Sequence, residues 1–326
     1  MTFYAGITSI QCRGVTLTDN YMNRDQIQGP LFVTEHQPMD ISDDEFALIR
    51  RTLQDMRGFN LDAYKDKCVR RRIAIRIRAT HCESARQYCE LLVSQATEVD
   101  LLLKVLTIHV SQFFRNFSTF EKLRLEIFPY LFAMARQEKL AGLKFWSLGC
   151  AGGEEPYGLA LLLADHFSRD IAQIPVTIEG TDVDASILET ARLGRYAPER
   201  LIEVPRHYLQ RYFTESDGQF TLMPQIREMV SFRQGDMFHD ELYHPCDLVL
   251  CRNVLIYFAR EQQEKVFRNL ARVLSRSGVM VLGKSETLLG ESRSYFQTIC
   301  PVERIYRLAE TPRDTLVRQN GSVGLR

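Results

Sequence analysis

Apolar and polar positions along this chain fall into two textures. In "DISDDEFALIRRTLQDMRG", from Asp40, apolar Phe46, Leu48, Ile49 and Leu53 recur at helical spacing. Ser42 stands where a cap belongs, and Gly58 stops the pattern. Two further helical stretches follow, "KDKCVRRRIAIRIRATH" and "SARQYCELLVSQATEVDLLLKVLTIHV". In the first, Val69, Ile73 and Ile77 share one face while Arg71 and Arg78 point to the opposite side. Residues 39–117 are therefore expected to form an all-helical domain. From Lys144 short apolar runs alternate with helical ones. The runs are "LKFWSLG", "VTIEGTDVD", "CDLVLCRN" and "GVMVLGKS"; the helices start at Pro156, Ala185 and Arg260, the last ended by Gly278. That alternation predicts βαβ units, hence an α/β domain over 118–310 with a mostly parallel sheet and helices on both faces. Around Asp217-Gly218, a hairpin turn signal sits among aromatic and β-branched residues. A small antiparallel β-subdomain is expected there, over about 206–233. Residues 1–38 show no periodicity and read as a loose or disordered extension; 311–326 read as a frayed tail.

Composition narrows the partners. The 326 residues are 45% hydrophobic and 25% charged, ordinary for a soluble globular protein. Lys+Arg and Asp+Glu number 41 each, so bulk charge draws the chain neither to nucleic acid nor to an anionic membrane. The eight cysteines form no C-x-x-C pair and no zinc spacing, and several, such as Cys251, lie in apolar runs. No metal is expected, and a reducing compartment is. No segment is long and apolar enough to span a membrane and no signal-peptide pattern opens the chain, so the expected location is cytoplasmic.

Candidate chemistry gathers at the ends of the predicted strands. In "SLGCAGGEEPYGLALLL" a Gly-rich turn precedes a helix that begins with Glu154 and Glu155. Strand-turn-helix junctions of open α/β sheets hold ligands, and glycines let the backbone come close. A phosphate would want the helix N-terminus free, or a G-K-[ST] sequence; here two carboxylates occupy that place. S-adenosylmethionine carries an ammonium and a sulfonium and no phosphate, so it suits an acidic turn. In "TIEGTDVDASILETARLGRY" one aspartate serves as helix cap and the other as an acceptor for ribose hydroxyls. Asp184 takes the cap and Asp182, at the strand tip, the ligand. "CDLVLCRN" ends a buried strand in Arg252-Asn253, where an active site belongs; Arg252 could instead pair with an acidic neighbour.

Together, "SQFFRN", "WSLGCAGGEEPYGLALLL", "TDVDASILETARLGRY", "CRNVLIYF" and "VLGKSETL" resemble the CheR family over roughly residues 40–308. These are S-adenosylmethionine-dependent methyltransferases that esterify glutamates on bacterial chemoreceptors. The resemblance implies a helical N-terminal domain and a Rossmann-like class I methyltransferase domain bearing a small β-subdomain. It implies cofactor contacts from His109, Ser111, Arg115, Glu154, Asp182, Asp236, Met237, Arg252 and Asn253, with Arg115 and Tyr257 at the chemistry. Where the family usually has asparagine this chain has His109 and Asp236. The implied products are a glutamyl methyl ester and S-adenosylhomocysteine, and the implied partners are the cytoplasmic helices of methyl-accepting chemoreceptors. Arg71 and Arg78 would then dock an acidic receptor surface. A methyltransferase with another acceptor and a catalytically idle cofactor-binding scaffold are the rival readings.

Overall fold

The computed structural model describes residues 41–107 and 111–309. The extension, the tail and His109 lie outside the described residues. Helix α1 (Asp43–Arg57) starts in a capping box: the Ser42 side chain accepts from the Glu45 N–H, and Glu45 reaches back to the Ser42 N–H. Gly58 ends it in the left-handed conformation (φ 65°). Helix α2 (Asp66–Ala79) buries Val69, Ile73 and Ile77 completely and leaves Arg71 and Arg78 exposed, as the spacing predicts. The third predicted helix is two: α3 (Ala85–Ser94) and α4 (Ala96–Thr107), parted at Gln95, whose backbone is extended. The break lets α3 lie against α1 and α4 against α2.

The second texture folds as ten short strands: β1 (Leu143–Leu148), β2 (Val176–Asp182), β3 (Arg195–Tyr196), β4 (Phe213–Ser216), β5 (Gln219–Leu222), β6 (Val230–Gln234), β7 (Cys246–Cys251), β8 (Leu274–Leu282), β9 (Phe296–Cys300) and β10 (Ile305–Leu308). Seven form the main sheet in the order β6-β2-β1-β7-β8-β10-β9. The first five run parallel, and β10 is antiparallel to both its neighbours. Side chains of the central strands alternate between two cores. Phe145, Leu248, Leu250, Val279 and Val281 face one, with Tyr157 and Leu161 from the helix Glu154–His166. Trp146, Val249, Cys251, Met280 and Leu282 face the other, with Val266, Phe267 and Leu270 from the helix Arg260–Val273. Burial on both faces explains why these strands read as unbroken apolar runs.

Four boundaries need correcting. The β-subdomain is the sheet β3-β5-β4, so it takes in Arg195–Tyr196 and excludes β6, which pairs with β2. Its hairpin does turn at Asp217-Gly218, both with positive φ (53° and 68°). Phe113 and Phe114 pack with Phe120 in the α/β core, so the junction after α4 falls before Ser111 rather than at 117. The helix after β1 starts at Glu154, two residues before Pro156, because Gly153 (φ 85°) caps it. Gly278 lies within β8, since the preceding helix stops at Val273.

Sequential connections leave β1 toward β2 and leave β7 toward β8, on opposite sides of the adjacent pair β1-β7. That reversal opens a crevice beyond the carboxyl ends of those strands. The helical domain is fastened beside it. Lys65 N–H donates to the Tyr257 carbonyl at 2.8 Å, Ala259 N–H to Ala63 at 2.9 Å, and Lys65 Nζ to Ile256 at 2.8 Å. No described helix is long and apolar enough to cross a membrane.

Candidate active site

The turn after β1 is built for close approach. Gly149 has φ 78°, and a Cβ there would stand 3.2 Å from Val254, in the loop after β7. A Cβ on Gly153 would meet the Phe232 ring at 2.9 Å. Beyond the turn lies a crevice of two lobes, holding about 630 Å³ and 600 Å³ of empty space, open solvent included. Gly149, Asp182, Val254 and Tyr257 border both.

Asp182 is 8% exposed. Its Oδ2 accepts the Ala151 N–H at 2.9 Å and its Oδ1 the Asp184 N–H at 3.1 Å. Asp182 borders both lobes, where a carboxylate can accept from ligand hydroxyls. Asp184 caps the next helix through the N–H groups of Ser186 (2.7 Å) and Ile187 (3.4 Å), as expected.

The first lobe is largely apolar. The α/β domain gives it Met237, Phe238 and Phe258; the helical domain gives it Phe59, Tyr64 and Leu106. Asp236 also lines it, with Oδ1 accepting the Phe238 N–H at 2.9 Å. The Tyr64 ring meets Phe258 edge-on at 4.8 Å. Burial holds its hydroxyl well above the usual tyrosine pKa, and the nearby Asp236 and Asp182 add to the push.

The second lobe is polar, lined by Ser111, Gln112, Arg115, Glu155, Arg252 and Asn253 among others. The guanidinium of Arg252 is engaged on several sides. Nη1 donates to Glu155 Oε2 at 3.0 Å, and Nη2 to the Arg115 carbonyl at 2.7 Å and to Asn116 Oδ1 at 3.2 Å. Its Cζ lies 5.5 Å from the centroid of Phe120. The acidic neighbour foreseen for Arg252 is therefore Glu155, whose other oxygen takes the Ser147 hydroxyl at 2.8 Å. This cross-brace ties the end of β7 to the segment that carries Arg115. Asn253 follows with a left-handed backbone (φ 60°).

Glu154 sits at the start of the helix after the Gly-rich turn. It is 2% exposed, lines neither lobe, and pairs with Arg200 at 3.3 Å. Its carboxylate folds back beneath the turn: a Cβ on Gly152 would lie 3.1 Å from Glu154 Oε2. Arg200 in turn donates to the Ser111 carbonyl, so Glu154 acts behind the polar lobe, while Glu155 borders it.

Three contributors were not foreseen. Arg72 places Cζ 4.8 Å from the Tyr257 ring centroid and donates to the Leu106 carbonyl at 2.6 Å. Its position three residues after Val69, at the edge of the buried face of α2, was a usable signal. Glu286, from "GKSE", accepts four backbone N–H groups beneath the loop 253–255. The helical-domain wall of the first lobe had no local signal at all.

A mixed sheet whose connections reverse at β1-β7, a Gly-rich turn without a G-K-[ST] phosphate sequence, and a strand-tip aspartate are the features of a class I S-adenosylmethionine-dependent methyltransferase. Residues 109–303 match the model of the CheR methyltransferase SAM-binding domain, and residues 44–107 that of the CheR methyltransferase all-alpha domain. The chain belongs to the CheR methyltransferase family, and its cofactor is S-adenosylmethionine. It is 34% identical to an uncharacterised 104.1 kDa protein of Rhodobacter capsulatus, over 75% of this chain and 25% of that one; this chain thus spans about a quarter of that relative. It is 30% identical to the chemotaxis protein methyltransferase of Listeria monocytogenes, over 77% of this chain and 92% of that one. It is also 30% identical to chemotaxis protein methyltransferase 2 of Vibrio cholerae, over 76% and 87%. A solved TehB-like methyltransferase from Corynebacterium glutamicum overlaps loosely, with a TM-score of 0.32, 14% identity, and coverage of 55% of this chain and 88% of that one.

Proposed function

We propose that this chain esterifies glutamate side chains on the cytoplasmic helices of methyl-accepting chemoreceptors, yielding glutamyl methyl esters and S-adenosylhomocysteine. The names of the relatives support the chemotaxis setting. The charge arrangement of the polar lobe supports a carboxylate acceptor and carries the reading. There the negative charge of Glu155 is met by Arg252, and Asp182 is held by backbone amides, while Arg115 lines the same lobe. An anionic acceptor entering the lobe would meet the cationic Arg115, with Glu155 already paired to Arg252.

The residues fit the cofactor. Asp182 would take the ribose hydroxyls, Asp236 the adenine amino group, and Met237 and the aromatic walls the purine faces. Ser111 and Asn253, with His109 beyond the described residues, would serve the methionine end, and Arg252 would act by bracing that end. The cofactor, when bound, supplies an electrophilic methyl group. A solvated glutamate has a pKa of about 4.3, so the acceptor is ionised at neutral pH and no general base is needed. The protein's work is orientation, an effect worth roughly 7–11 kcal/mol when reacting atoms are held in line. Arg115 holds the acceptor carboxylate by its planar fork. Tyr257, backed by Arg72, aligns it. On α2 the exposed Arg71 and Arg78 flank a half-exposed Ile75 and form the docking face for an acidic receptor helix.

The test is a pair of receptor-derived helical fragments that differ only in glutamate or glutamine at the acceptor position. Labelled methyl should pass to the glutamate fragment alone; equal labelling of both would remove the carboxylate from the reaction.

A further inference from the structure

Outside both lobes, Glu286 is 4% exposed and spends its whole carboxylate on backbone. Oε2 accepts from Gly283 (2.6 Å) and Asn253 (2.9 Å), and Oε1 from Val254 (2.9 Å) and Leu255 (2.8 Å). We propose that Glu286 is a positioning residue for methyl transfer: its carboxylate shapes the loop 253–257 so that Asn253 and Tyr257 stand correctly at the polar lobe. The proposal rests on reading that lobe as the methyl-transfer end.

The geometry favours a dedicated role over incidental packing. Three successive N–H groups, from Asn253 to Leu255, leave the sheet ladder at the end of β7 and turn toward one point. A left-handed residue followed by a right-handed one makes such an anion-binding concavity, and here Asn253 (φ 60°) and Val254 (φ −118°, ψ −42°) supply it. Asparagine is among the non-glycine residues that enter the left-handed region most readily, and the Glu286 carboxylate holds Asn253 there through its N–H. Burial pushes its carboxyl above the usual carboxylate range, and the four amides oppose that push. Glutamine could not replace it in kind, because one of its two head atoms is a donor and would face two of the four N–H groups.

Gly283 completes the clamp. A Cβ there would stand 2.7 Å from Glu286 Oε2, 2.8 Å from the Asn253 nitrogen and 2.9 Å from Asn253 Nδ2. The same turn grips the opposite wall as well. Lys284 Nζ donates to Ser118 Oγ at 3.0 Å and lies 3.4 Å from Glu303, which accepts the Thr119 hydroxyl at 2.6 Å. Ser118 is three residues beyond Arg115. One four-residue turn thus holds the loop bearing Asn253 and Tyr257 and the segment bearing Arg115. The far end of that loop is pinned separately, by the Lys65 N–H on the Tyr257 carbonyl. Tyr257 sits between two anchors.

The test compares full-length wild type, Glu286→Gln and Gly283→Ala by three readouts: thermal unfolding, S-adenosylhomocysteine affinity by calorimetry, and kcat and KM with receptor fragments. Gly283→Ala disturbs the clamp without removing the carboxylate, so it serves if Glu286→Gln does not fold. Displacement by about 1 Å can cost on the order of 100-fold in rate. The expected result is a kcat lowered by roughly 10–100-fold, with receptor KM within about threefold and product affinity weakened by a smaller factor than kcat, since Asn253 also serves the methionine end. Glu286→Asp, which keeps a carboxylate, should recover part of the loss. Folded variants with wild-type kcat, or a loss explained wholly by less folded protein or weaker product binding, would overturn the proposal. A wild-type chain that methylates no glutamate would instead overturn the acceptor assignment and leave the clamp to be judged on whichever acceptor is found.

Discussion

The two lobes of the crevice are built by different physics. The apolar lobe is assembled from residues far apart in the chain, Phe59, Tyr64 and Leu106 from one domain and Met237 and Phe258 from the other, and it is shaped by packing. The polar lobe is drawn almost entirely from the α/β domain and is shaped by charged groups that hold backbone in place. Arg252 braces the Arg115 segment, Asp182 holds the Gly-rich turn at Ala151, and Glu286 holds the loop after β7. A packed wall tolerates small shifts in a flat ring; a reaction needing three atoms in line does not. On the proposed reading, cofactor binding and methyl transfer each have the kind of support that suits them.

The sharpest way to break this division is Arg115→Ala. Turnover on receptor fragments should fall by roughly 10²–10³-fold, the scale for removing a charged group that orients a reacting anion, while product affinity in calorimetry stays within a few-fold. Equal losses in both would show that Arg115 serves the cofactor and not the acceptor. Next is Asp182→Ala, which removes a charged acceptor of ribose hydroxyls. S-adenosylhomocysteine should bind about 10–100-fold more weakly, from roughly 1.5–3 kcal/mol of lost hydrogen bonding. Phe59→Ala, in the apolar lobe, should weaken that affinity by about tenfold or less and leave kcat at saturating cofactor unchanged. A fall in kcat would show that the helical domain also shapes the chemistry. The smallest effect is expected from reversing Arg71 and Arg78 to glutamate together. KM for the receptor should rise a few-fold at low salt, and the difference should fade as ionic strength grows, because exposed charges act weakly and are screened within about 10 Å at 0.1 M.

The same contrast explains what could be read in the sequence. Local devices were legible: the Ser42 cap, the Gly58 stop, the Asp217-Gly218 hairpin and the division of labour in which Asp184 is the cap. Strand ends were legible too, because doubly buried strands leave unbroken apolar runs that stop where chemistry begins. The apolar lobe was not, since nothing near Phe59 or Tyr64 announces that Tyr64 meets Phe258 across the domain junction or that Phe59 lines the same lobe as Phe238. Of two adjacent glutamates, the family resemblance implies Glu154 for the cofactor, and Glu155 is the one that borders the polar lobe. Neighbouring helix residues point about 100° apart, so the answer depends on how the helix is rotated, which tertiary packing decides. Glu286 escaped for a further reason. It works through backbone amides, and a side chain whose partners are main-chain groups leaves no complementary residue type to find.

What accepts the methyl group can be determined directly. Purified chain, labelled S-adenosylmethionine and receptor-containing membranes supply the measurement: transfer the label, treat the receptor with alkali, and map what was released. Label lost as a volatile alcohol and traced to glutamate side chains is the predicted result. Label that resists alkali, or that never reaches a receptor although the cofactor binds, would contradict it.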